Sequence, residues 1–159
     1  MAFSVVFILD NIRSVHNVGS IFRTANACGV NEIFLCGITP TPLDKKGRAR
    51  SDFAKVSLGA EQTIKWEYFE STLELVKKLR DDGYFVIAIE QDEKAVDYKL
   101  LDVKNKKKIA FMVGSEVDGV SREVLNNVSA IAEISMVGSK ESLNVTIALG
   151  VAVYRIMNI

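Results

Sequence analysis

Apolar, β-branched runs recur along the whole chain, and helical patterns fall between them. The runs are FSVVFIL (3–9), EIFLCG (32–37), TIKWEYF (63–69), YFVIAIE (84–90), KIAFMV (108–113) and AIAEISM (130–136). Most are continuous rather than alternating, the pattern of strands covered on both faces. Helical spacing occupies 18–28, 71–83, 121–128 and the C-terminal SLNVTIALGVAVYRIMNI. Strand alternating with helix predicts an α/β fold: a mostly parallel sheet with helices on both faces. No repeat, low-complexity tract or linker interrupts the 159 residues, so the chain is read as a single domain over 1–159.

Charge excludes little. Lysine plus arginine (20) equals aspartate plus glutamate (20), so any attraction to phosphate must come from how the charges are distributed. Cys28 and Cys36 lack CxxC spacing, and His16 is the single histidine. That argues against a zinc site or a disulfide framework, and no metal is expected. Free, buried thiols fit a reducing compartment. No apolar run is long enough to span a bilayer, and the basic-then-apolar layout of a signal peptide is missing. A cytoplasmic protein away from membranes is therefore expected.

Two connections are long, 37–60 and 91–107. Long loops are often functional, and open α/β sheets bind ligands beyond the carboxyl ends of their strands. Three further segments carry polar residues that a plain core has little use for.

In HNVGSIFRTANACGV (16–30), Val18, Ile21, Phe22, Ala25 and Cys28 form one helical stripe. Asn17 can serve as N-cap and Gly29 as left-handed C-cap. Gly19 in the first turn costs up to about 1 kcal/mol against alanine, so something needs the space it leaves. The second segment, VGSEVDGVSREVL (113–125), is a strand, a glycine-bearing turn and a helix start. It lacks the spacing of a P-loop or a dinucleotide fingerprint. It is either a tight structural turn or a cradle for a neutral or cationic ligand, since Glu116 would repel a phosphate. In ISMVGSKESLNVTIALGVAVYRI (134–156), Ser142 is a natural N-cap for a helix apolar all round, buried in the domain or between subunits. Asn144 is the polar exception; it either caps locally or points into a site.

Together, and in this order over essentially the whole chain, these segments resemble the three motifs of the SpoU/TrmH-type RNA 2′-O-methyltransferases of the SPOUT superfamily. KVSLGAE (55–61) is similar to a lesser signature between them. Departures are Val117 where a glycine is usual, Ser135 for a proline, and Arg155 for an acidic residue.

The resemblance implies a C-terminal trefoil knot, a homodimer, and S-adenosylmethionine held by loops after three strands. Those loops map to Ile89 and Glu90, to Val113 and Gly114, and to Ile134, Met136, Ser142 and Leu143. It also implies that a ribose 2′-hydroxyl attacks the sulfonium methyl in line, so the protein's task is alignment and exclusion of water. Asn17, Arg23, Glu116, Ser142 and Asn144 are the implied catalytic residues. A guanidinium with a pKa above about 12 is a poor base, so Arg23 is expected to clamp phosphate or stabilise the forming alkoxide. Gly19 would let the RNA backbone approach.

Arg13, Arg23, Lys45, Lys46, Arg48, Arg50 and Lys55 are the candidate RNA contacts. Lys104, Lys106, Lys107 and Lys108 form a second basic stretch with a weaker claim. No counterpart of the extra N-terminal RNA-binding domain of many relatives is expected. A small target such as a tRNA loop is therefore expected, ahead of rRNA. Competing readings are a non-catalytic RNA-binding or assembly protein, a nucleotide- or flavin-binding protein, and a base-methylating enzyme of the same superfamily.

Overall fold

The computed structural model describes residues 3–159; the first two residues of the expected 1–159 unit lie outside them. One sheet contains β1 (Ser4–Asp10), β2 (Glu32–Cys36), β3 (Lys65–Phe69), β4 (Phe85–Ile89), β5 (Val96–Asp97), β6 (Lys108–Gly114) and β7 (Ala130–Glu133). Their order is β3-β2-β1-β6-β4-β7-β5, and each pairing is parallel. The chain thus moves outward from β1 to β3, crosses over to β4, and returns to insert β6 between β1 and β4. That switch of direction places the carboxyl ends of β1, β6 and β4 side by side, where such sheets bind ligands.

Helices cover both faces, as the continuous apolar runs require. On one face α1 (Val15–Ala27) and α6 (Val145–Met157) pack onto Phe7, Leu9, Ile87 and Phe111. On the other, α4 (Thr72–Asp81) and the short α5 (Arg122–Leu125) contribute Leu75, Val76, Leu79 and Val124 against Ile8, Ala88 and Met112. Burying side chains of this size contributes about 1.5–3 kcal/mol each. Cys36 belongs to this second core, and burial pushes its thiol up to about 12. Cys36 is a core thiol, whereas Cys28 is only half-buried.

Several boundaries differ from the sequence expectation. The connection 37–60 is no bare loop: it contains α2 (Ser51–Ser57) and leads into α3 (Ala60–Thr63). Only Phe53 and Ser57 of α2 are buried, too few apolar positions to show as a stripe. Phe53 packs edge-on against Phe22 of α1, with ring centroids 5.3 Å apart. Within 91–107 the two-residue β5 and a 3₁₀ turn (Tyr98–Leu100) cap the far edge. β7 stops at Glu133 rather than 136, which frees Ile134 and Met136 for the loop beyond it.

α1 begins at Val15, with Ser14, not Asn17, as N-cap; Ser14 Oγ accepts from the Asn17 amide at 3.2 Å. Asn17 therefore lies within the first turn of the helix, and it is buried. Likewise Asn144, not Ser142, caps α6, its Oδ1 accepting from the Thr146 amide at 2.9 Å. α6 is also not buried all round. Leu149, Ala152, Val153 and Ile156 face the core, whereas Ile147, Val151 and Tyr154 are exposed. Among the described residues, no helix is long and apolar enough to cross a membrane.

Candidate active site

The turn after β1 starts the site. Asn11 takes a left-handed conformation (φ 54°). Its side chain folds over Gly37, where an added Cβ would meet Asn11 Oδ1 at 2.0 Å, and accepts from the Ile38 amide at 3.0 Å. Thr39 is buried and ties the next step: its hydroxyl donates to Leu9 O (2.9 Å) and accepts from the Ile12 amide (3.0 Å). With 10–14 fixed in this way, the amides of Arg13 and Ser14 point at one carboxylate.

That carboxylate is Glu116. Arg13 N donates to its Oε2 (3.0 Å), and Ser14 N (3.2 Å) and Asn17 Nδ2 (2.8 Å) donate to its Oε1. The Asn17 Oδ1 in turn accepts a long bond from Asn144 Nδ2 (3.4 Å). Burial pushes the Glu116 carboxyl up, but these donors together outweigh it and hold the carboxyl below the ordinary glutamate value. One residue from each of three distant segments thus meets in a single chain of hydrogen bonds. For both Glu116 and Asn144 the local role and the site role coincide. Glu116 bonds backbone amides while binding Asn17, and Asn144 caps α6 while reaching Asn17.

The turn that carries Glu116 closes on itself. Gly119 N donates to Ser115 O (2.9 Å), and Ser115 Oγ accepts from the amides of Val117 (3.3 Å) and Asp118 (3.4 Å). A Cβ on Gly114 would lie 2.5 Å from Gly119 C and Val120 N, so no larger residue fits there. Val117, in place of the glycine that the resemblance leads one to expect, sits at the exposed tip without a positive φ. Glycine is not needed at that position.

Beside this turn, the loops after β4, β6 and β7 and the start of α6 enclose a cavity of about 500 Å³. All the residues expected to hold cofactor line it: Ile89, Glu90, Val113, Gly114, Ile134, Met136, Ser142 and Leu143. Glu116 and Asn144 share the lining. The Glu90 carboxylate is already engaged, accepting from the amides of Val120 and Gln91 (3.1 Å each), so it braces the turn as well as lining the cavity. Sequence reasoning missed Ser14, Thr39 and Gln91. Gln91 Nε2 donates to Glu141 O (2.8 Å), tying the loop after β4 to the loop before α6. Only a glutamine next to the fourth apolar run could have hinted at it.

Other expected residues do not join this hydrogen-bonded cluster. Arg23 is exposed on α1, and its side chain forms no ion pair or hydrogen bond among the described residues. Ser142 lines the cavity without joining the hydrogen-bonded chain. Gly19 has another reason to be glycine than RNA approach. An added Cβ would lie 2.9 Å from Val56 Cβ and 3.2 Å from Ser57 N, so the missing side chain lets α2 pack on α1.

Lys45, Lys46 and Arg48 are exposed in the loop before α2, and Lys55 on α2 itself. Arg50 is half-buried against Asp52 (2.7 Å). The second basic stretch leads into the amino end of β6, opposite the cavity. There Lys108 Nζ donates to Asp82 O (2.8 Å), and Lys106 lies over Phe85. Among the described residues, no group of three or more histidine, cysteine, aspartate or glutamate side chains is placed to hold a metal.

A parallel α/β sheet with a built cavity at its switch point defines a small-ligand-binding domain. Residues 4–154 match the SpoU rRNA methylase family, and the chain belongs to that family. It is 33% identical over 153 residues to a protein of Staphylococcus haemolyticus named as a TrmH family tRNA/rRNA methyltransferase, covering 96% of this chain and 58% of that one. The AdoMet-bound rRNA methyltransferase from Sinorhizobium meliloti superposes with a TM-score of 0.88 at 27% identity, over 99% of this chain and 57% of that one. The TrmH/SpoU tRNA modifying enzyme of A. aeolicus, 23% identical with a TM-score of 0.82 over 98% and 74%, shares the fold. The chain spans little more than half the length of the first two of these relatives.

Proposed function

We propose that this chain is an S-adenosylmethionine-dependent RNA methyltransferase acting on a ribose 2′-hydroxyl, in tRNA ahead of rRNA. The observation that carries this reading is the meeting of Asn17, Glu116 and Asn144 at the rim of one cavity. The cavity fits the cofactor. Its volume falls in the range of about 300–1,000 Å³ that encloses small ligands. Ile89, Ile134 and Leu143 offer apolar walls for a flat base, and Gly114 keeps the backbone close. When bound there, S-adenosylmethionine supplies an activated methyl on a sulfonium.

The chain's own residues then have to align and to stabilise. Glu116, fixed by three donors, keeps Asn17 and the 13–14 amides in place, and Asn144 anchors the start of α6 to the same point. Arg23, with no partner of its own among the described residues, is free to clamp the phosphate or the forming alkoxide. The hydroxyl proton leaves to water or a neighbouring group, because a guanidinium holds its own proton too tightly. Lys45, Lys46, Arg48, Arg50, Lys55 and the Arg13 side chain supply the field for RNA.

The same reading includes a single catalytic unit over 1–159, the trefoil threading of its C-terminal segment, and a cytoplasmic location. It also includes a homodimer. Supporting that, Ile147, Val151 and Tyr154 recur at i, i+4 and i+7 on the exposed side of α6.

Nucleoside mass spectrometry of tRNA and rRNA, from cells with and without the gene, tests the proposal. Loss of one 2′-O-methylated nucleoside, restored by the wild-type gene but not by Arg23→Ala, is expected. Loss of a base-methylated nucleoside, or no change, would overturn it.

A further inference from the structure

β3 is the edge of the sheet, and strand alternation places Trp66 and Tyr68 on one of its faces and Lys65, Glu67 and Phe69 on the other. On inner strands the corresponding face is covered by helices. Here Trp66 is half-buried against the core, and Tyr68 remains 48% exposed. Both rings line a cavity of about 720 Å³ whose other wall is the loop before α2, including Pro40, Lys45 and Arg50. Exposed aromatic surface next to a concavity marks a binding face.

Charge says what it binds. Residues 44–55 carry five cations and two carboxylates. Asp44 is engaged by Arg48 (2.8 Å) and Asp52 by Arg50 (2.7 Å). Lys45 and Lys46 form no ion pair among the described residues. The surplus is positive and sits beside the rings. Cations alone would suit any polyanion. Rings beside cations select one whose bases are free to stack, a single-stranded nucleic acid.

We propose that Trp66 and Tyr68 form a base-stacking subsite that captures an unpaired stretch of the RNA substrate, with Lys45 on its phosphates. This rests on the RNA reading above and adds a second point of contact to it. Thr39 links the two: it lines this cavity, and its hydroxyl holds the Ile12 amide next to the Arg13 amide that binds Glu116.

Trp66 is the single tryptophan, so its emission reports the subsite directly. The probes are an oligouridylate of about ten nucleotides, the span of one single-strand site, and an abasic ribose-phosphate oligomer of the same length. Oligouridylate is expected to quench Trp66 and to bind more tightly than the abasic oligomer. Tyr68→Ala should weaken oligouridylate binding about tenfold while leaving abasic binding and the circular dichroism spectrum unchanged, and Tyr68→Phe should restore it. Equal binding of both oligomers, with Trp66 emission and Tyr68→Ala affinity unchanged, would remove the stacking subsite and leave the RNA reading standing. Binding of neither would also remove the subsite, while the nucleoside analysis decides the RNA reading separately. An emission change driven by protein concentration alone would assign the face to a second copy of the chain and overturn the proposal.

Discussion

At the carboxyl end of β1 and β6, Glu116 gathers donors from a segment far away in sequence; in the loop beside the β3 edge, Arg48 and Arg50 pair with neighbours in their own loop. Glu116 accepts from the backbone amides of Arg13 and Ser14 and from the side-chain amide of Asn17. Arg48 and Arg50 bind Asp44 and Asp52, within four residues. The first arrangement exists only when the whole sheet is assembled, and it fixes positions. The second forms locally at the surface, where such pairs contribute about 0–1 kcal/mol, and it leaves the lysines free to follow a ligand. The proposed methyl transfer needs the first property, because misplacement by an ångström is costly. Capture of a flexible polyanion needs only the second.

The largest expected effect breaks the rigid region. Gly114→Ala drives a Cβ into the backbone of Gly119 and Val120, neither of which can yield as a side chain would. S-adenosylmethionine binding, measured by calorimetry, should fall about tenfold, since overpacking of this kind costs about 1–3 kcal/mol. Oligonucleotide binding at the β3 edge should survive. If both fall together in a folded variant, the two regions are not independent.

Gly19→Ala comes next and separates packing from RNA approach. Its Cβ would press on Val56 and the Ser57 amide, so a loss of about 1–3 kcal/mol is expected, seen as a Tm lower by several degrees. An unchanged Tm with weaker RNA binding would restore the role expected from sequence.

How much of this was open to inspection in the chain itself differs between the two regions. Apolar periodicity was enough for the main strands, for both sheet faces and for α1, α4 and α6, because burial is written in spacing. The motifs brought Asn17, Glu116 and Asn144 to notice. Their mutual bonds were not legible, since hydrogen-bond partners distant in sequence leave no local pattern. α2 was hidden because only Phe53 and Ser57 of its residues are buried. Both N-caps were misplaced for one reason: a side chain that caps is recognised by the amide it reaches, and Ser14 and Asn144 reach theirs where Asn17 and Ser142 do not. Trp66 and Tyr68 read as core strand because nothing in TIKWEYF says that β3 is an edge.

A smaller effect concerns acid. The folded-state pKa of Glu116 lies below its ordinary value of 4.5. Its stabilising contribution is therefore complete above about pH 4.5 and is lost as pH falls through the lowered folded value. Wild type should lose stability more steeply than Glu116→Gln below about pH 4.5 in denaturant titrations; parallel curves would show that the carboxylate charge contributes nothing there.

Smallest is the edge. RNA affinity should fall steeply with added salt, and Lys45→Ala should lower the slope of log affinity against log salt by about one unit. An unaltered slope would place Lys45 off the phosphate path.

Hydrogen–deuterium exchange with and without S-adenosylmethionine tests the convergence of the three motifs most directly. Slowed exchange is expected at once in 89–91, 113–120 and 134–145, with the β3 edge unchanged. Protection absent from all three, or confined to another surface such as 99–104, would contradict it.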